Sequence, residues 1–130
     1  MIAIDTSALI AIVLKEPEQD SFSRLIQTHG QVLIGSPTLF EFRMVALGKF
    51  QPIVAEGVTA FVRRPPFEVV DFTSDHFEAA LRAFDRYGKG RHPASLNFGD
   101  CMAYAVAAVA GCALLYKGND FERTDVKRLA

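Results

Sequence analysis

The chain has 130 residues, of which half are hydrophobic and 22% are charged, and its net charge is −1. This length and composition are those of one globular domain, spanning residues 1–130, and they exclude a disordered chain. The balanced charge argues against broad electrostatic capture of nucleic acid, although it permits a local basic patch beside an acidic site.

Short apolar runs alternate with helical segments along the whole chain. The runs predict strands at 1–4, 31–34, 67–72 and 113–116, with a last short strand at 126–129. Polar caps, glycines and prolines delimit helices at about 8–14, 16–30, 36–47, 53–63, 74–87 and 98–110. The alternation predicts an α/β fold in three layers, with a central, mainly parallel sheet flanked by helices.

Several helix starts have a hydroxyl residue in the capping position. We expect Thr6 or Ser7 to cap the first helix, Ser36 the third and Ser74 the fifth. Pro17 is expected in the first turn of the second helix.

The sequence does not indicate a membrane protein or a site in which cysteines bind a metal. No apolar run approaches the about 20 residues that span a bilayer, and no signal peptide precedes the first strand, so we expect a cytoplasmic protein without membrane contact. Cys101 and Cys112 belong to no Cys/His cluster, which favours reduced core thiols over a zinc site.

Four acids stand at junctions between predicted strands and helices. Asp5 ends the first strand, Glu41 lies in the first turn or so of the third helix, Asp100 begins the sixth helix, and Asp120 follows the 113–116 strand. In a doubly wound sheet these positions share the carboxyl edge, where ligands bind. Four carboxylates gathered there repel one another unless a cation holds them, which predicts one or two Mg²⁺ or Mn²⁺ ions.

Each acid also has a simpler interpretation. Asp5 is in position to cap a helix, Glu41 and Asp100 suit the positive end of a helix dipole, and Asp120 beside Asn119 suits a turn. The flanking residues Phe40 and Phe42 give Glu41 an apolar setting that a dipole residue does not need. One metal site explains all four acids together.

Four blocks of sequence carry a family resemblance. They are Met1–Leu9 with its Asp-Thr-Ser, Glu41, the Asn-Phe-Gly-Asp block at 97–100, and Lys-Gly-Asn-Asp-Phe at 117–121 followed by Arg-Thr-Asp at 123–125. In this order and spacing the chain resembles the PIN-domain ribonucleases, and within them the VapC toxins of type II toxin–antitoxin modules.

The resemblance implies a Mg²⁺-dependent endoribonuclease that cleaves RNA with a metal-activated water. Asp5, Glu41 and Asp100 take the family's acidic positions, and Thr6 or Ser7 orients Asp5 or a bound water. Asp120 takes the fourth position, with Asp125 as the alternative, because Asn119 stands where many relatives carry the first of two adjacent acids. The family also implies a VapB-like antitoxin partner and a homodimer or toxin–antitoxin hetero-oligomer, with transfer or ribosomal RNA as the target.

Basic residues near the acids are candidates for RNA contact, since phosphates dominate nucleic-acid affinity. Arg43 is the candidate beside Glu41, where it either pairs with an acid of the site or touches RNA. Around the 88–97 loop the candidates are Arg86, Lys89, Arg91 and His92, which equally suit a solvated loop.

The phenylalanines are mostly assigned to the core by their spacing, including Phe84, which shares an apolar helix face with Phe77 and Leu81. A second interpretation of Phe40, Phe50 and Phe61 is that they line a groove for an amphipathic antitoxin helix.

Three other functions are compatible with part of the sequence. A receiver-like phosphotransfer domain also has an acid after the first strand and a lysine, here Lys117, after a late one, but it has no need of Glu41 or Asp100. A haloacid-dehalogenase-type phosphatase requires a second Asp where this chain has Ser7. A non-catalytic RNA- or partner-binding scaffold is the third alternative.

Overall fold

Four short parallel strands form one sheet at the centre of the chain. The computed structural model describes residues 1–129. The strands are β1 (Ile2–Ile4), β2 (Val32–Gly35), β3 (Phe67–Val70) and β4 (Ala113–Leu115), in the order β3-β2-β1-β4. Every pairing is parallel, so the carboxyl ends of all four strands lie along one edge of the sheet.

Six helices cover the sheet. They are α1 (Thr6–Val13), α2 (Gln19–His29), α3 (Ser36–Lys49), α4 (Pro52–Phe61), α5 (Ser74–Tyr87) and α6 (Phe98–Ala110). Among residues 1–129, no helix combines the length and the apolar composition needed to cross a membrane.

Alternation along the strands divides the core in two. On one face Ala3, Leu33 and Leu114 pack with α5 and α6, and on the other Ile2 and Ile4 pack in the cluster that includes residues of α1, α2 and α3. The predicted three-layer α/β fold with a central parallel sheet is therefore confirmed.

The helix caps differ from those expected. Asp5 is the N-cap of α1, because its carboxylate accepts from the Ser7 amide, so the expectation of Thr6 or Ser7 was wrong. Gly35 precedes α3, in place of the expected Ser36, and its closeness to Val106 of α6 leaves no room for a side chain. Thr73, in place of Ser74, caps α5 in a capping box with His76.

Some element boundaries also differ. The helix α2 begins at Gln19, so Pro17 lies in the turn before it, and α3 continues through Gly48 to Lys49. The expected strand at 126–129 is reduced to a single bridge between Ala113 and Lys127.

The phenylalanines assigned to the core divide into two groups. Phe42 is fully buried and Phe22 nearly so, whereas Phe40 is 66% exposed, Phe61 50% and Phe84 38%. On α5 the buried face consists of His76, Ala79, Ala80, Ala83 and Tyr87. Small side chains allow α5 to lie close against the alanine-rich α6, and this turns the bulky stripe of Phe77, Leu81 and Phe84 outward.

Candidate active site

The predicted acids lie at the carboxyl edge of the sheet. Ile4 is in register with Leu115 of β4, and the Asp5 amide donates to the Leu115 carbonyl. Asp5 thus stands at the point where β1 and the neighbouring edge strand β4 end. The helix α3 begins directly after β2 at the same edge.

Asp5 is buried and held by one neighbour. Its Oδ2 accepts from the Ser7 amide at 3.0 Å and from Ser7 Oγ at 2.6 Å. Ser7 Oγ in turn accepts from the Lys117 amide at 3.0 Å, so it connects the acid to the segment after β4. Burial raises the pKa of Asp5 and the nearby Glu41 raises it further, while the bonds from Ser7 act in the opposite direction.

Glu41 approaches from α3. It is the sixth residue of that helix, in the second turn, and its Oε1 accepts from Thr6 Oγ1 at 2.5 Å. Of the two residues expected to orient Asp5, Ser7 is the one that donates to it, whereas Thr6 donates to Glu41. The Glu41 carboxylate also lies against the backbone of Gly99.

Asp100 approaches from the start of α6, where it belongs to a capping box. Its amide donates to Asn97 Oδ1 at 2.9 Å, and its Oδ2 accepts from the Asn97 amide at 3.0 Å. Asp100 is only 8% exposed. Burial raises its pKa to about 7, opposed by the bond from Asn97 and reinforced by the negative charges of Asp5, Asp120 and Glu41.

Asp120 stands at the rim of this cluster. It lines a cleft of about 300 Å³ together with Asn119, Ser95 and Arg123. Its charge acts on Asp100, which places it near the other acids. The structure thus brings the four predicted acids to the same edge of the sheet, with Asp120 as the outermost.

Cations of the protein do not neutralise this cluster. The ion pairs within residues 1–129 join Arg43 to Glu56, Arg86 to Asp125, and Lys117 to Glu16 and Glu18. None involves Asp5, Glu41, Asp100 or Asp120. Buried carboxylates with raised pKa values and no cationic partner fit a hard divalent cation, which prefers oxygen ligands.

A ready-made ligand cage is not present in residues 1–129, where no three acidic, histidine or cysteine side chains are arranged to hold a metal ion as they stand. Three of the acids are instead occupied by hydrogen bonds from Ser7, Thr6 and Asn97. These bonds engage one oxygen of each carboxylate, namely Oδ2 of Asp5, Oε1 of Glu41 and Oδ2 of Asp100.

Arg43 is directed away from the acids. Its Nη1 pairs with Glu56 Oε2 of α4 at 2.9 Å, so it joins α3 to α4 and does not pair with an acid of the site.

The other basic candidates surround the 88–97 loop. The Arg86 guanidinium lies 5.2 Å from the centre of the Tyr87 ring, and that of Arg91 lies 5.6 Å from the centre of the Phe84 ring. His92 Nδ1 accepts from the Ala94 amide at 3.0 Å, which makes it part of the loop's own structure. Residues 93–95 of the same loop line the cleft that holds Asp120, whereas Arg86, Lys89, Arg91 and His92 do not. Their contact with RNA remains a prediction.

Sequence reasoning missed two residues at the site. Gly99 lies against Glu41, and the signal that could have identified it is a glycine at a helical position. Arg123 lines the cleft beside Asp120, and it was included in the Arg-Thr-Asp block at 123–125 without being assigned a role.

Comparison with known proteins gives the same classification. Residues 2–127 match the family model of the PIN domain. Ribonuclease VapC30 of Mycobacterium tuberculosis is 35% identical over 98% of this chain and 97% of its own length, and ribonuclease VapC36 of the same species is 39% identical over 95% and 90%. The crystal structure of Mycobacterium tuberculosis VapC20, a toxin that cleaves the sarcin–ricin loop, superposes with a TM-score of 0.80 at 20% identity, covering 99% of this chain and 98% of that one.

The fold and the acidic edge therefore define a PIN domain. The chain belongs to the PIN-domain family, and its curated relatives are the VapC ribonucleases, a class of metal-dependent nucleases. This membership excludes the receiver-like and dehalogenase-type alternatives.

Proposed function

We propose that the chain is a Mg²⁺-dependent endoribonuclease, with Mn²⁺ as a substitute ion, acting as the toxin of a toxin–antitoxin pair. The observation that supports this most strongly is the assembly of four acids, two of them buried, without a protein cation to neutralise them. We assign residues 1–130 to a single PIN domain acting in the cytoplasm, where its RNA substrates are found.

We assign the ion to Asp5, Glu41 and Asp100. When bound, a divalent cation lowers the pKa of the water that attacks the phosphodiester and neutralises the charge that develops on the phosphate. Asp120 adds its negative charge from the rim of the site, and its neighbour Asn119 is uncharged. Ser7 and Thr6 fix the rotamers of Asp5 and Glu41 through their hydroxyl groups.

The RNA approaches over the rim that carries Asp120. In this region Arg123 supplies a positive charge beside the cleft, and residues 93–95 of the 88–97 loop line the same cleft. Unpaired nucleotides suit this edge better than a duplex, because their bases are free to be splayed out against the protein. Transfer and ribosomal RNA both contain such loops.

Expression in cells tests the toxin and ribonuclease parts together. After brief induction, we expect new RNA 5′ ends at a small number of sites and arrest of growth, both absent for Asp5→Asn. The variant Asp85→Asn is the matched control, since it makes the same change of charge on the exposed side of α5. New 5′ ends that persist in Asp5→Asn refute the assignment.

An exposed apolar surface on the toxin is the expected binding site of its antitoxin. On α3 and α4, Phe40, Met44, Ile53 and Phe61 are between 50% and 80% exposed. We propose that a VapB-like antitoxin lays an amphipathic helix across this surface, next to Glu41. Solved complexes of related fold contain both toxin and antitoxin, as in the VapBC complex of Salmonella typhimurium. The chain then functions as a hetero-oligomer, with a toxin homodimer as its subunit.

Hydrogen exchange on the toxin, with and without the antitoxin, tests the surface. We expect protection across residues 38–63, and its absence there contradicts the proposal. Phe40→Ser and Phe61→Ser are expected to weaken the complex. Phe77→Ser, at an exposed phenylalanine of α5, serves as the control of equal size and is expected to leave the complex intact.

A further inference from the structure

Gly99 occupies a helical position that does not require glycine. It is the second residue of α6, and its φ lies outside the left-handed region. Glycine at such a position stabilises a helix less than alanine by up to about 1 kcal/mol. Backbone conformation therefore gives no reason for this residue, and the reason must be sought in what surrounds it.

The surroundings of Gly99 are filled by one side chain. If residue 99 carried a β-carbon, that atom would be in contact with Oε2 of Glu41. It would lie 2.8 Å from Cδ and 2.9 Å from Oε1 of the same side chain. Real β-carbons essentially never approach other atoms this closely, so any larger residue displaces the carboxylate. By contrast, Gly57 in α4 has open space around it.

Glu41 is also held by Thr6. The hydroxyl of Thr6, at the start of α1, donates to Glu41 Oε1 at 2.5 Å. The carboxylate is thus confined between a hydrogen bond from α1 and the bare backbone of α6. A second close approach, between Gly35 and Val106, keeps the start of α3 against α6.

We infer that Gly99 is a positioning residue for Glu41: its missing side chain is the space in which the Glu41 carboxylate is held near Asp5 and Asp100. The inference rests on the proposed metal-dependent cleavage and adds to it a steric determinant on α6. A substitution at position 99 moves one ligand and leaves the fold in place, since the atom that yields is the end of a flexible side chain.

The test is a double-mutant cycle read by Mn²⁺ affinity, RNA cleavage and thermal melting. Gly99→Ala is expected to lower kcat/KM about 100-fold, the cost of misplacing a reacting group by about 1 Å, and to weaken Mn²⁺ binding about tenfold. The melting temperature stays within a few degrees of wild type. Gly57→Ala, the matched control, changes neither Mn²⁺ affinity nor cleavage.

The second variant of the double-mutant cycle shortens the side chain of Glu41. Glu41→Asp retracts the carboxylate by one methylene and lowers activity by itself. Adding Gly99→Ala to Glu41→Asp is expected to cost less than threefold in Mn²⁺ affinity, because the added methyl group then meets empty space.

The outcomes separate the two levels of the proposal. If Gly99→Ala binds Mn²⁺ like wild type, or weakens binding equally with and without Glu41→Asp, the positioning role is refuted and the proposed function stands. Failure of the wild-type chain to bind Mn²⁺ at all refutes both.

Discussion

Replacing Asp100 by asparagine is expected to stabilise the metal-free protein. The carboxyl group is 8% exposed, and its pKa is raised from 3.8 to about 7 by burial and by three neighbouring acids. A difference of about 3 pKa units corresponds to about 4 kcal/mol. Relaxation and screening around a buried charge reduce this energy, and we therefore expect about 2 kcal/mol.

The pH dependence has a definite sign. Since the folded protein holds its proton more tightly than the unfolded chain, the stability from Asp100 is fully present below the unfolded pKa of 3.8 and is lost as pH rises through about 7. The free energy of unfolding of wild type, measured in EDTA, should therefore fall between pH 5 and pH 8.

Urea unfolding in EDTA measures this effect. Asn at position 100 retains an acceptor for the Asn97 amide but carries no charge. We expect Asp100→Asn to exceed wild type by about 2 kcal/mol at pH 8 and to show a shallower pH slope, the remainder coming from Asp5. Asp85→Asn controls for the loss of one negative charge. A variant that is less stable than wild type at pH 8, or that keeps the wild-type slope, refutes the reasoning.

Three further predictions concern the surroundings of the acids. Thr6→Val keeps the shape of the side chain but removes the donor to Glu41, so we expect cleavage to fall about tenfold and stability by about 1 kcal/mol; unchanged cleavage contradicts the role of Thr6. Tyr104→Phe removes the bond to Asp125 at 2.5 Å, and because Asp125 is not one of the four acids, cleavage should stay at the wild-type level while stability falls by about 0.5 kcal/mol. Mn²⁺ should raise the melting temperature of wild type by several degrees and that of Asp5→Asn by much less, since the ion binds the folded state through Asp5; equal shifts in calorimetry contradict this.

The sequence was a good guide where local chemistry and topology agree. Strands too short for period-two alternation were still identified by their apolar content and by the residues that end them. The order of elements then placed Asp5 and Asp100 at one edge of the sheet, because parallel strands end together. This topological rule identified the acids and with them the expected cation, and the family resemblance added the cleavage of RNA.

Pairings between distant residues were beyond local reasoning. That Thr6 donates to Glu41 depends on how α1 lies against α3, and no spacing in the sequence encodes that contact. The assignment of Phe84 to the core was wrong for a related reason, since it lies with Phe77 and Leu81 on the outward face of α5. Helical periodicity identifies an apolar face, but the alanine face of α5 fits more closely against α6 and is the one that is buried.

The structure also differs from the sequence-based prediction in which arginine lies near the acids. Arg43 stands two residues from Glu41 in the sequence, yet on the helix it turns toward Glu56 of α4. Nearness along the chain therefore did not translate into nearness at the site. The arginine that lines the cleft beside Asp120 is instead Arg123, which lies in the segment after β4.

Cleavage of a labelled RNA by the purified chain tests the central claim most directly. We predict cleavage in the presence of Mg²⁺ that stops in excess EDTA and returns on adding Mg²⁺ or Mn²⁺. Asp5→Asn and Asp100→Asn, both folded by circular dichroism, should show no cleavage at any Mg²⁺ concentration. Undiminished cleavage in EDTA, or full activity in either variant, contradicts the account.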